Sequence, residues 1–313
     1  MLLFTKEHLL KIHDWDFLLK CIEEGFMAYS KGEVNMPPVC HMHFESPPGD
    51  LHVKCAANKS AFYVVKVASC FTENPRFGRP SIYGLQILFH KSSGEPVALF
   101  LDEGYLTHLR TALAGAICAK YLAPQNMQAI GILGVGQQAR FQLKILKQVT
   151  NCREVYAWGP HAQKIEEFQN DPFLDDFKIH RAKSPAELTS KSQLIVTTTP
   201  STTPLLKSED ILPGTHITAV GSDRPGKQEL DSSILRKANR LIVDSRAQCF
   251  LYGETACALQ AGMITPNGVT EIGEILLLQA KGRESDEEIT VADLTGLGIQ
   301  DLMIAEAFYQ RLA

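Results

Sequence analysis

Residues 128–146, QAIGILGVGQQARFQLKIL, run from a short apolar strand into Gly134-Val135-Gly136-Gln137-Gln138-Ala139 and directly on into a helix. That order fits the G-x-G-x-x-G/A turn of dinucleotide-binding folds and leaves few other architectures open. Gly134 permits the tight turn, Gly136 lets the backbone approach a pyrophosphate, and Ala139 lets helix and strand pack closely. The start of the helix offers backbone N–H groups and the positive end of its dipole to phosphate.

The pattern downstream agrees. EVYAWG, FKIHRA, QLIVTTT, HITAVGS and RLIVDS are short β-branched runs separated by helical or loop segments such as AQKIEEFQN. Strands alternating with helices predict a doubly wound parallel sheet of the Rossmann type. The residues before it read differently. Leu9, Leu10, Ile12, Phe17, Leu18, Ile22 and Phe26 fall at helical spacing over residues 6–30. MPPVCHMHFESPPGD reads as a strand flanked by turns, and HVKCAA, AFYVVKVAS, YGLQILFH and PVALFLD as further strands, the last two joined by SSGEP. A helix is expected over 109–122, ended by Pro124. The closing segment, from Ile289, reads as a glycine-containing turn and an amphipathic helix with Ile299, Leu302, Met303, Ala305 and Phe308 on its apolar face. These elements predict an α/β chain of two domains. Residues 125–293 form the dinucleotide-binding domain. Residues 1–124 with 294–313 form a discontinuous α/β domain.

Composition narrows the function. With 31 basic and 35 acidic residues, a net charge of −4, the chain is not built to bind nucleic acid. No run reaches the ~18 apolar residues of a membrane span, and the start, MLLFTKEHLLKIHDWD, lacks the apolar core of a signal peptide, so a cytoplasmic protein is expected. The eight cysteines include no CxxC and read as free thiols. His41 and His43, beside Cys40, share a strand face, but no acidic or histidine partner follows nearby, and no metal is expected.

Some charged residues stand where charge is costly or useful. In YVVKVAS, Lys66 shares a face with Val64, and a lysine in so apolar a strand is unfavourable unless paired or functional. Arg110, read as the start of the helix over 109–122, gains nothing from a helix dipole that disfavours cations there. Its guanidinium suits bidentate capture of a carboxylate. Asp223 follows the strand HITAV, and ligands of open parallel sheets sit beyond the carboxyl ends of strands. The strand EVYAWG ends in Trp158-Gly159-Pro160-His161, without the acid that grips the ribose of NAD, which leaves room for NADP with His161 or Lys164 as donor.

Four motifs occur in order: RTALAGA at 110–116, GVGQQA at 134–139, GSDRPGK at 221–227 and DLTGLG at 293–298. Together they resemble the ornithine cyclodeaminase/mu-crystallin family, from about Met36 to the C-terminus. The resemblance implies a Rossmann domain, a second domain that binds substrate and forms a homodimer, and NAD or NADP as cofactor. It implies that Lys66 and Arg110 hold the substrate carboxylate and that Asp223 handles the amine. It further implies that Thr111, Gly134, Gly136, Gln137, Gln138, Ala139, Thr198, Thr199, Val220, Gly221 and Thr295 line the cofactor. Three activities are compatible with it: conversion of a diamino acid such as L-ornithine to a cyclic imino acid with loss of ammonia, reduction of a cyclic ketimine, and non-catalytic binding of a small ligand as in mu-crystallin. Family members that bind ornithine carry an Arg where this chain has Cys40 or His41, and Lys54 in LHVKCAA is the residue expected to replace that charge.

Overall fold

The computed structural model describes residues 1–313. In chain order the elements are β1 (Leu2–Thr5), α1 (Lys6–Leu9), α2 (Trp15–Ser30), β2 (Cys40–Glu45), β3 (Pro48–Ala57), β4 (Phe62–Cys70), β5 (Ile82–His90), β6 (Pro96–Leu101) and α3 (Tyr105–Leu122). There follow β7 (Ile130–Leu133), α4 (Gln137–Leu146), β8 (Glu154–Trp158), α5 (Ala162–Gln169), β9 (Lys178–Arg181), α6 (Pro185–Lys191), β10 (Leu194–Thr197) and β11 (His216–Ala219). The last are α7 (Ser232–Lys237), β12 (Arg240–Val243), α8 (Arg246–Cys249), α9 (Glu254–Gln260), β13 (Val269–Glu271), α10 (Ile272–Leu276), β14 (Thr290–Asp293) and α11 (Gly298–Leu312). The chain divides into two compact units, Met1–Arg110 with Leu297–Ala313, and Thr111–Gly296. The division falls inside α3, upstream of the boundary at 124 expected from the sequence.

The first unit is a six-stranded mixed sheet, ordered β1-β6-β5-β4-β3-β2. All its pairings are antiparallel except β1 with β6. The single helix expected over 6–30 is broken. A one-turn helix ends at Leu9, and α2 starts afresh where the Asp14 carboxylate accepts the Phe17 N–H at 3.3 Å. Leu18, Leu19, Ile22 and Phe26 form its buried stripe. The residues read only as an apolar start, Leu2–Thr5, are a strand paired along β6. Helix α11 is buried along all of residues 298–308 and packs on α2, β3, β4 and β5. A stretch of helix buried on every side must satisfy its polar side chains internally, and that requirement shapes the site below.

The register across this sheet sets one row of side chains. Lys54 pairs with Lys66, Lys66 with Gln86, Gln86 with Phe100, and Phe100 with Phe4. Directly opposite residues point to the same face, so the row runs from cationic, through amide, to aromatic.

The second unit is an eight-stranded, wholly parallel sheet ordered β13-β12-β14-β11-β10-β7-β8-β9. It is a Rossmann-type doubly wound sheet. From β7 the chain winds outward through β8 and β9, then returns to the other side of β7 as β10. The order therefore reverses between β7 and β10, the place where such sheets hold ligands. β13 and β14 were not anticipated. The four residues of β14 read as the approach to the final helix, and its edges are covered by β11 and β12.

Candidate active site

In the first unit a buried ionic cluster forms around Asp301, on α11. Its Oδ1 accepts a hydrogen bond from Lys66 Nζ at 2.8 Å and lies 3.2 Å from Arg110 Nε. The Arg110 guanidinium also donates to Gln300 Oε1 at 3.1 Å, and Gln300 Oε1 accepts the Leu297 N–H at 2.9 Å. Lys66 is 2% exposed. Burial, with the nearby charges of Arg110 and Lys54, pulls its ammonium down to about 7 against the opposing pull of Asp301. Burial acts to raise Asp301, but the charges of Lys66, Arg110 and Lys54 outweigh it and hold the carboxyl below its ordinary value. Lys54, half-buried, sits directly across the strand pair from Lys66. Three cations thus face one carboxylate.

Several polar atoms of this cluster have no partner. Asp301 Oδ2, Gln300 Nε2 and both ends of the Gln86 amide are buried without a hydrogen bond. Native interiors seldom leave such groups unsatisfied, because each costs about 1–3 kcal/mol. Their concentration beside an excess of positive charge marks a place where an anion with hydrogen-bonding groups fits.

Arg110 is not at a helix start. Helix α3 begins at Tyr105, where the Asp102 Oδ2 accepts the Leu106 N–H at 2.7 Å, so Arg110 lies in the second turn. The helix dipole therefore has little bearing on Arg110, whose place is accounted for by its pairing with Asp301 and Gln300. Burial raises the Asp102 carboxyl to about 6.

In the second unit the residues of the fingerprint turn lie at the carboxyl end of β7. Gly134 has φ +95°, and a methyl group there would come within 2.8 Å of Thr198 Oγ1. Gly136 is the N-cap of α4 and provides no side-chain cap, and a methyl group on it would meet no atom within 4 Å. Open space over uncapped N–H groups is what a pyrophosphate requires. Gln137 and Gln138 open the helix, and Ala139 is fully buried against the sheet. Arg140 braces the turn, donating to the carbonyls of Val135 and Gly136 at 2.7 and 3.2 Å. A dinucleotide therefore fits the residues present. The Thr111 carbonyl accepts from Gln142 Nε2 at 3.2 Å.

Glu229, missed in the sequence, organises the neighbouring strand ends. Its carboxylate accepts from Thr197 Oγ1 at 2.6 Å, from Thr199 N and Oγ1 at 2.6 and 2.8 Å, and from Gly221 N at 2.9 Å. Glu254 in turn accepts the Glu229 and Leu230 N–H groups at 2.7 and 3.0 Å. Thr198 Oγ1 donates to the Leu133 carbonyl at 3.2 Å, Val220 N to the Thr197 carbonyl at 3.0 Å, and Thr295 Oγ1 to Asp244 Oδ1 at 3.1 Å. Asp223 lies in the loop after β11, its side chain 50% exposed, with Lys227 Nζ 2.7 Å from Oδ1. His41 packs edge-on to His52, with ring centroids 4.6 Å apart, and His43 Nδ1 meets Asp50 Oδ1 at 2.9 Å. All eight cysteines are free thiols. No helix is long and apolar enough to cross a membrane.

The model of the "Ornithine cyclodeaminase/mu-crystallin family" matches residues 5–313. An alanine dehydrogenase of Archaeoglobus fulgidus is 39% identical over 310 residues, 99% of this chain and 94% of that protein. The Thermococcus litoralis Delta(1)-pyrroline-2-carboxylate reductase, solved with NADH and L-proline, superposes with a TM-score of 0.93 at 28% identity, over 99% of this chain and 97% of that one. The iminosuccinate reductase of Paracoccus denitrificans, solved with NAD+, gives 0.88 at 28% identity, over 99% and 95%.

Proposed function

The chain belongs to the ornithine cyclodeaminase/mu-crystallin family, and from that premise we propose that it is an NAD(P)H-dependent reductase of 2-imino acids, forming a 2-amino acid. The observation that carries this reading is the buried cation cluster of Lys66, Arg110 and Lys54 around a single carboxylate, with polar atoms left unpartnered beside it. The three relatives described above share one chemical step, a change between C=N and CH–N next to a carboxylate, whatever the rest of the molecule.

In this reading Lys66 and Arg110 hold the substrate carboxylate, and Lys54 adds charge where ornithine-binding members of the family use an arginine. Their positive charge draws electron density from the imine and stabilises the arriving negative charge. Asp301 keeps Lys66 and Arg110 oriented. Asp223 exchanges the nitrogen's proton. Thr111, the turn from Gly134 to Ala139, Thr198, Thr199, Val220, Gly221 and Thr295 hold the dinucleotide. The nicotinamide, when bound, supplies the hydride that the imine carbon receives. The turn after β8 carries His161 and no acid, which favours acceptance of NADPH as well as NADH. A homodimer is the expected assembly.

The test is nicotinamide absorbance with NADH and NADPH in parallel. Pyrroline-2-carboxylate, and pyruvate with ammonium, serve as imine sources. Oxidation through many turnovers, lost in Lys66→Met, supports the reading. Turnover of L-ornithine to proline and ammonia, with no net cofactor oxidation, would instead establish the cyclodeaminase reaction.

A further inference from the structure

The reductase reading above assigns no role to Gln86, yet this residue is the least explained in its unit. It is 1% exposed, and neither its Oε1 nor its Nε2 has a hydrogen-bond partner. It stands on β5 directly opposite Lys66, with Phe100 on its other side, on the face that α11 covers. The surrounding strand residues Leu85, Ile87 and Leu88 are apolar, so packing alone would be served by a leucine or isoleucine. A buried primary amide with both ends idle is unfavourable in the free protein. A ligand that brings both an acceptor and a donor would compensate it.

A protonated α-imino carboxylate or an α-amino carboxylate offers that pair on one edge, a carboxylate oxygen beside an N–H. The amide of Gln86 is complementary to it, with Nε2–H donating to the oxygen and Oε1 accepting from the nitrogen. A 2-oxo acid presents an oxygen acceptor in place of the N–H, and Oε1 of the amide then meets a like group. We infer that Gln86 contacts the substrate and selects nitrogen over oxygen at the carbon next to the carboxylate. The inference rests on the reading of Lys66 and Arg110 as the carboxylate anchor. It adds what that anchor cannot do, since a cation pair binds keto acids and imino acids alike.

Pyrrole-2-carboxylate and furan-2-carboxylate test it, being flat rings of the same shape that differ by N–H against O. Calorimetric titration of the full chain, with NADH and with NADPH, should give about tenfold or tighter binding of the pyrrole acid. In Gln86→Leu the two acids should bind within about twofold of each other, chiefly through weakening of the pyrrole acid. Gln86→Met, of similar length and without the amide, should bring the two acids within about twofold in the same way, and it decides the matter if the leucine variant does not fold. Equal binding of the two acids by the wild-type chain overturns the inference and leaves the anchor standing. A tenfold preference retained in Gln86→Leu also overturns it, and assigns the N–H to another acceptor such as Asp301 Oδ2. Failure of both acids to bind overturns the anchor reading and this inference with it.

Discussion

Asp301→Asn removes the one negative charge that Lys66 and Arg110 share while keeping the shape of the side chain. Breaking a buried ion pair from one side costs about 3–5 kcal/mol, because the remaining charge stays buried and uncompensated. No discount for solvent applies, since the carboxylate is fully buried and the lysine nearly so. For 313 residues, at ~2.1 cal/mol/K of unfolding entropy per residue, each kcal/mol moves Tm by about 1.5 °C. The variant should melt about 5–8 °C lower by calorimetry. Acetate or L-proline, by supplying a replacement anion, should raise its Tm more than that of the wild type. The pH dependence carries a second sign. Asp301 raises the affinity of Lys66 for its proton, and the substrate carboxylate needs Lys66 charged. In the wild type kcat/KM should fall as pH rises through about 7, the value for Lys66. In Asp301→Asn the fall should begin at lower pH. An unchanged Tm together with an unchanged profile would refute the positioning role.

Other outcomes follow from the same geometry. Lys54→Ala should raise KM for the imino acid about three- to tenfold with little change in kcat, and an unchanged KM removes Lys54 from the anchor. Glu229→Gln places an amide where four donors converge, so it should lower Tm and weaken binding of NADH and NADPH about tenfold or more by fluorescence titration. If cofactor affinity is unaltered, the strand ends do not depend on that carboxylate. His161→Asp, adding an acid after β8, should raise KM for NADPH about tenfold and leave that for NADH within about twofold, and equal effects on both would show that the turn does not meet the 2′-phosphate.

What could be read from the sequence was what local chemistry dictates. Gly134 announces its turn because φ +95° and the nearness of Thr198 disfavour a side chain there, while glycine at 136 leaves the space over the helix start open. Lys66 stood out because its own strand gave it no reason to be there. The cluster around it was not legible. Gln300 and Asp301 do not stand out because an amphipathic helix carries such residues on its wet face, whereas α11 is buried on every side over residues 298–308. Gln86 in YGLQILFH would have drawn notice under the rule that singled out Lys66, a polar residue among apolar neighbours. The start of α3 is hidden in the sequence because Glu103 and Gly104 look like loop, and in the structure both have positive φ between Asp102 and the helix whose Leu106 N–H it accepts. Glu229 lies 30 residues or more from the threonines it holds, and only the sheet order brings them together.

The central claim is that hydride reaches the carbon between nitrogen and carboxylate. Reduced nicotinamide cofactor carrying two deuteriums at C4, incubated with the full chain and pyrroline-2-carboxylate, tests it by mass spectrometry of the product. The account predicts proline with one deuterium at its α-carbon for each cofactor oxidised. Cofactor oxidation without labelled amino acid, or no oxidation with any imine source while cofactor binds, would contradict it.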